Sequence, residues 1–183
     1  MLDGGAEILQ YRHKDFWSRD VLAEAERVAD LCRKHGTLFI VNDRADYAKL
    51  LGAGVHLGQD DLPPRAARAL LGPDAVIGYS THNAAQLAAA ASEPVDYVAL
   101  GPVFGTVSKR NPDPVVGVAR LQEWRGMISQ PLVAIGGITR SNAPQLWDAG
   151  ADMVAVIGDL CPEVCDAESI GERMAEWRRL TLT

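Results

Sequence analysis

Residues 97–114, YVALGPVFGTVSKRNPDP, run from a short apolar stretch directly into a loop rich in Gly, Pro and hydroxyl side chains that carries two cations, Lys109 and Arg110. The apolar part has the length of a buried strand. The same pattern recurs in EILQY (7–11), LFIV (38–41), GVHLG (54–58), AVIGYS (75–80), PLVAIGG (131–137) and MVAVIG (153–158). Segments of helical period separate most of these runs. SRDVLAEAERVADLCRKHG (18–36), for example, opens on Ser18 as a cap and closes on Gly36. Alternation of this kind predicts parallel strands joined by crossover helices.

Such strands can build an open doubly wound sheet or a closed barrel. The first strand is not followed by a GxGxxG turn, which weakens the dinucleotide-binding version of the open sheet. Polar residues instead gather just past nearly every run: Gln10-Tyr11-Arg12, Asn42-Asp43, Gln59-Asp60-Asp61, Ser80-Thr81-His82, Thr106 to Lys109, Gly136-Gly137 and Gly158. In a (β/α)8 TIM barrel these ends share one face, where active sites are built. The expectation is one TIM-barrel domain over 1–183. Its opening MLDGGAEILQYR reads as the tail of a helix entering a strand, so the first strand and most of the first helix are expected to be missing. PEVCDAESIGERMAEWRRLTLT, at the other end, reads as a last helix.

A chain of 183 residues, 48% hydrophobic and 23% charged, suffices for one sizeable core. A net charge of −6 and a pI near 5.2 argue against nucleic-acid or anionic-membrane partners, so any phosphate site is a local cluster. No apolar run approaches the roughly 20 residues of a membrane span and no basic-then-apolar leader follows Met1, so the expected location is cytoplasmic. Three cysteines, two of them at 161 and 165 with no matching His or Cys pair, suggest neither disulfides nor zinc.

Gln10, Arg12 and Lys14 recur at spacing two, which on a strand aims them the same way and offers two cations to a polyanion; a solvated strand end reads equally well. Asp43 and Asp61 each follow an apolar strand. Two carboxylates on neighbouring strand ends can share one Mg2+, and they can equally cap the helices that follow, with Pro63 and Pro64 as a helix start. Thr106 and Ser108 hydroxyls, Lys109 and Arg110 charges and Gly-rich backbone suit an oxyanion, with a mere surface loop as the alternative. IGGI (135–138) and VIGD (156–159) end the last two strands, where barrels often bind phosphate through backbone N–H groups. His56 and His82 read as packed or structurally hydrogen-bonded, and Trp124, Trp147 and Trp177 as packing on helices.

Taken in order, these motifs resemble the thiamine-phosphate synthase family. QYRHK is similar to its Q-x-R-x-K strand, VNDRAD to its I-N-D-R strand end, GVHLGQDDLP to its G-V-H-L-G-Q-x-D loop and GYSTHN to its G-x-S-T-H segment. GPVFGTVSK resembles its G-P-[IV]-F-x-T-x-T-K loop, and VAIGGI and VAVIG follow; the match covers about residues 4 to 160. The resemblance implies a transferase that joins the methylene carbon of a hydroxymethylpyrimidine pyrophosphate to the nitrogen of a thiazole phosphate, or of its carboxylate, releasing pyrophosphate by a dissociative route.

It also implies the sites. Gln10, Arg12, Lys14, Asn42, Ser80 and Lys109 would hold the pyrimidine pyrophosphate, with Arg12, Lys14, Ser80 and Lys109 in catalytic roles. Asp43 and Asp61 would hold Mg2+, and Thr106, Ser108, Gly137, Ile157 and Gly158 the thiazole phosphate. Ser108 stands where the family has Thr, Gly105 replaces a common Pro and Gly158 a common Ser. The partners expected are small-molecule substrates, with a homo-oligomer left open. The competing readings are a thiazole tautomerase, which needs no metal or pyrophosphate site, and a non-catalytic phosphate-binding barrel.

Overall fold

A computed structural model describes residues 1–106, 113–161 and 165–181. Seven parallel strands form one sheet in chain order: β1 (Ile8–Tyr11), β2 (Leu38–Asn42), β3 (Gly54–Leu57), β4 (Ile77–Thr81), β5 (Tyr97–Leu100), β6 (Leu132–Ile135) and β7 (Met153–Ala155). The helices are α1 (Arg19–His35), α2 (Ala45–Leu51), α3 (Pro64–Leu71), α4 (Ala84–Ala90), α5 (Val118–Trp124), α6 (Pro144–Asp148) and α7 (Ala167–Thr181). Each strand is followed by one helix, as the alternation predicts. The sheet is a curled partial barrel of seven strands, and among the described residues no pairing joins β1 to β7.

The punctuation residues act as expected. Ser18 Oγ accepts from Val21 N at 3.3 Å to cap α1, and Gly36 ends the helix in the left-handed region at φ 69°. Pro64 stands in the first turn of α3, where its missing N–H costs nothing. The three helical tryptophans fall on α5, α6 and α7, and the three cysteines are free thiols.

Register decides which side chains share a face. Gln10 pairs with Ile40, Asn42 with His56, His56 with Gly78, Gly78 with Tyr97, and Ser80 with Ala99. Because side chains alternate, this row lies on one face, and Val41, Val55, Ile77, Leu57, Val98, Leu132 and Leu100 lie on the other. The helices cover the second face and make the main core with it. The first face holds a smaller apolar cluster of Tyr97, Ala99 and Val133, backed by Val76, Ile135 and Met153. Its polar residues sit toward the strand C-terminal ends.

Candidate active site

β2 ends at Asn42, and Asp43 turns the chain with φ 65°, a left-handed conformation that Asp tolerates better than most residues. Its N–H donates to the His56 carbonyl at 2.8 Å, fastening this turn to β3. The Lys14 ammonium pairs with the Asp43 carboxylate. Across the gap, Asp61 Oδ2 accepts from Gly58 N at 2.7 Å. Burial raises the Asp61 pKa, and the neighbouring Asp43 carboxylate raises it further, against the lowering effects of the Gly58 N–H and Lys14. Carboxylate oxygens are the ligands a divalent cation takes, and among the described residues no group of three or more His, Cys, Asp or Glu gathers around this pair.

Neither aspartate caps a helix. The N-cap of α2 is Arg44, without a side-chain cap, and that of α3 is Pro63. Arg44 instead binds Asp46 through two hydrogen bonds of 2.9 and 2.6 Å and lies 4.4 Å from the centre of the Tyr47 ring.

Gln10 lies within β1 and is exposed, but the strand ends at Tyr11. Arg12 and Lys14 therefore lie past the strand, and alternation does not set their direction. Lys14 reaches the carboxylate pair, while Arg12 is exposed and makes no ion pair among the described residues. Asn42 is 6% exposed, and its Nδ2 has no hydrogen-bond partner among the described residues. A buried amide donor left unpaired is costly unless something outside the chain accepts from it.

One level deeper, His56 Nε2 lies 2.8 Å from Ser80 Oγ and its Nδ1 lies 2.9 Å from the Tyr97 hydroxyl. Burial drives the His56 pKa down to about 4, only partly opposed by Asp43, so the ring is neutral at pH 7. Gln59 Nε2 donates to the Ser80 carbonyl at 2.6 Å, holding the end of β4 against the loop after β3.

The other half of the site is built from backbone. Gly136 and Gly137 have φ of 90° and 66°. Val103 N donates to the Ile135 carbonyl at 2.8 Å and Phe104 N to the Gly136 carbonyl at 3.1 Å, so the loop after β5 packs on the loop after β6. Asn142 Nδ2 donates to the Gly137 carbonyl at 3.1 Å and fixes its orientation. Thr106 is half-buried at the end of that β5 loop; Ile157 is 60% exposed, and Gly158 opens a short 3-10 turn. Ser108 and Lys109 lie outside the described residues.

Beyond Gly137, a cleft of roughly 540 Å3 is lined by Thr139, Arg140, Ser141, Asp159 and the Glu176, Arg179 and Leu180 end of α7. Asp159 Oδ2 accepts from Arg140 Nε and Trp177 Nε1, each at 3.0 Å, tying the last two loops to that helix.

Sequence reasoning gave two of these residues, Tyr97 and Asn142, no place in the site, and named Gln59 only as a polar residue past β3. Tyr97 sits inside an apolar run and reads as packing. Asn142 and Gln59 act on carbonyls that only the folded register brings near. His82, read as structural, donates from Nδ1 to the Gly101 carbonyl at 2.6 Å and faces Asp113 across 3.6 Å from Nε2.

Comparison with known proteins places this site in context. A family model for thiamine monophosphate synthase matches residues 1–160. A thiamine-phosphate synthase of Koribacter versatilis is 52% identical over 161 residues, spanning 87% of this chain and 76% of that protein. One of Methanoculleus marisnigri is 46% identical over 176 residues, spanning 94% and 83%. Among solved structures, thiamine phosphate pyrophosphorylase from Pyrococcus furiosus superposes with a TM-score of 0.85 at 32% identity, covering 99% of this chain and 85% of that one. Phosphoribosyl anthranilate isomerase from Thermus thermophilus gives a TM-score of 0.68 at 16% identity over 100% and 92%, a likeness of fold alone.

Proposed function

The chain belongs to the thiamine monophosphate synthase family, and from that premise we propose that it condenses a hydroxymethylpyrimidine pyrophosphate with a thiazole phosphate at the strand C-terminal ends. Its activity is that of a thiamine-phosphate synthase, a transferase. The seven strands correspond in this reading to seven of the eight units of a (β/α)8 barrel, in a single domain. The cytoplasm suits an enzyme of this biosynthetic class.

The bond between the pyrimidine methylene carbon and the pyrophosphate oxygen breaks, and the thiazole nitrogen attacks that carbon. Dissociation leaves positive charge on the pyrimidine and negative charge on the leaving group, so catalysis consists of stabilising the pyrophosphate and orienting the thiazole. Arg12, Lys14 and Lys109 supply positive charge to the leaving group. Gln10, Asn42 and Ser80 hold the pyrimidine, and the unpaired Asn42 amide is a donor ready for it. Thr106, Ser108, Gly137, Ile157 and Gly158 receive the thiazole phosphate through hydroxyl and backbone groups.

The observation that carries this reading is the carboxylate pair. Burial first, and then the neighbouring Asp43 carboxylate, raise the Asp61 pKa, and a divalent cation held by the two carboxylates would relieve their repulsion. Asp43 and Asp61 would hold Mg2+, which when bound would neutralise charge on the pyrophosphate. A tautomerase or a passive phosphate-binding barrel has no use for such a pair.

The test mixes purified protein with both substrates and Mg2+, then oxidises the product and reads thiochrome fluorescence. Product that disappears with EDTA is expected. Asp43→Asn keeps a residue that accepts a positive φ while removing the charge, and Lys109→Ala removes a cation; each should lower turnover at least about a hundredfold. Near-normal rates in either variant would reject its role, and silence from the unaltered protein would favour the tautomerase or the binding barrel.

A further inference from the structure

We propose that Tyr97 is a positioning residue that holds His56 in its Nε2–H form and thereby makes the Ser80 hydroxyl a hydrogen-bond donor toward bound substrate. The proposal rests on the place of Ser80 in the site assigned above.

The argument is a count of protons along one chain of hydrogen bonds. Tyr97 is 8% exposed, on the small inner face among Ala99, Val133 and Met153. Its ring lies against Gly78, where a Cβ would strike the phenol Cζ and hydroxyl, so the absence of a side chain there makes room for it. Its hydroxyl has one partner among the described residues, His56 Nδ1 at 2.9 Å. A buried phenol O–H must donate or stand unsatisfied, and Nδ1 is the acceptor within reach.

Nδ1 therefore carries the lone pair, and the ring proton sits on Nε2. That nitrogen is 2.8 Å from Ser80 Oγ, so Ser80 accepts there. The opposite tautomer would leave the phenol proton without an acceptor. A doubly protonated ring would donate from both nitrogens and strand the same proton. Since Ser80 Oγ already accepts from His56 and its carbonyl is occupied by Gln59, its own O–H remains to be donated.

Ser80 thus has its O–H to offer to an acceptor on the substrate, a ring nitrogen or a phosphoryl oxygen. The stacked rings of His56 and Tyr97, 5.5 Å between centroids at 30°, hold the imidazole against rotation.

The first measurement is the nitrogen-15 spectrum of the full chain labelled at its four histidines, with His56 assigned through His56→Gln. A protonated Nε2 and a hydrogen-bonded, unprotonated Nδ1 are expected at pH 7.5; a proton on Nδ1 overturns the proposal. In Tyr97→Phe the Nδ1 resonance should move toward the free-nitrogen position. The second measurement is a kinetic cycle. Tyr97→Phe should lower kcat/KM for the pyrimidine pyrophosphate about tenfold and leave KM for the thiazole phosphate within about twofold, and the Tyr97→Phe/Ser80→Ala double variant should be no slower than Ser80→Ala. Additive losses, or a matching rise in the thiazole phosphate KM, would overturn action through Ser80. If the unaltered chain makes no product, the site assignment fails, while the spectrum still decides the tautomer.

Discussion

His56 has both ring nitrogens engaged inside the sheet, and its charge state couples the site to stability. Its pKa falls from 6.5 to about 4 on folding, so between those values the unfolded chain takes up a proton that the native one refuses. The sign follows: stability is full above about pH 6.5 and is lost as pH falls toward 4, by roughly 3 kcal/mol in all. Asp61 works in the opposite sense, because its raised pKa lets the native state keep a proton as pH rises above 3.8. Replacing His56 by Gln, which can still accept from Tyr97 and donate to Ser80, should flatten the slope between pH 4 and 6.5 and leave the Asp61 contribution in place. Urea unfolding of both proteins in EDTA at a series of pH values measures this, and parallel curves would reject it. At this scale the sequence was informative where chemistry shows in a residue type. Asn42, Asp43, Asp61 and Ser80 stand out as polar residues just after apolar runs. Tyr97 was not legible, because an aromatic within an apolar strand looks the same whether or not its hydroxyl orients a histidine. The capping reading of Asp43 and Asp61 fell to backbone geometry that the sequence does not display: Asp43 turns back on itself at positive φ before α2 begins.

The elements, seven strands and their helices, were largely readable from the alternation of apolar runs with helical period, and their ends were not. β6 stops at Ile135 and β7 at Ala155, although the apolar runs continue to Gly137 and Gly158. The end of β6 and the residues left over after it carry the β5 loop, through Val103 N on the Ile135 carbonyl and Phe104 N on the Gly136 carbonyl. Gly136 and Gly137 can end a strand with positive φ because they lack a Cβ. A Cβ on Gly137 would meet the Gly105 carbonyl and the Phe104 Cβ in addition to sitting at φ 66°, whereas one on Gly158 has nothing within 4 Å. Gly137→Ala should therefore cost about 1–3 kcal/mol and raise KM for the thiazole phosphate with little change for the pyrimidine substrate. Gly158→Ser, which restores the residue common in the family pattern, should shift stability by no more than about 0.5 kcal/mol. Thermal melting and the two KM values check the pair, and equal effects at both positions would show that packing between the two loops does not shape the phosphate half of the site.

At the scale of the whole molecule, stability is distributed unevenly around the sheet. β2 to β6 are paired on both sides and lie against the helix-packed core, while among the described residues β1 and β7 each have one paired neighbour. The burial follows: Ile40 on the inner face of β2 is wholly buried, and Ile8, on the same face of β1, is 40% exposed. The seven-stranded parallel order was legible from the repeating pattern, but this gradient was not, because it depends on which strands find a partner. α7 reaches across to the edge, with Arg178 Nη1 donating to the Gly5 carbonyl at 3.1 Å and to Glu7 Oε1 at 2.9 Å. Both members of that ion pair are well exposed, so solvent screens it and it holds the edge only lightly. Hydrogen exchange should accordingly find the β1 and β7 amides opening well before those of β3 to β5. Arg178→Ala should speed exchange in β1 by no more than about fivefold and leave β4 unchanged, as the loss of a weak surface tie predicts. Protection in β1 equal to that in β4 would mean that the edge opens only with global unfolding. A fall across the whole sheet in Arg178→Ala would mean that α7 supports the main core through this arginine rather than strapping its edge.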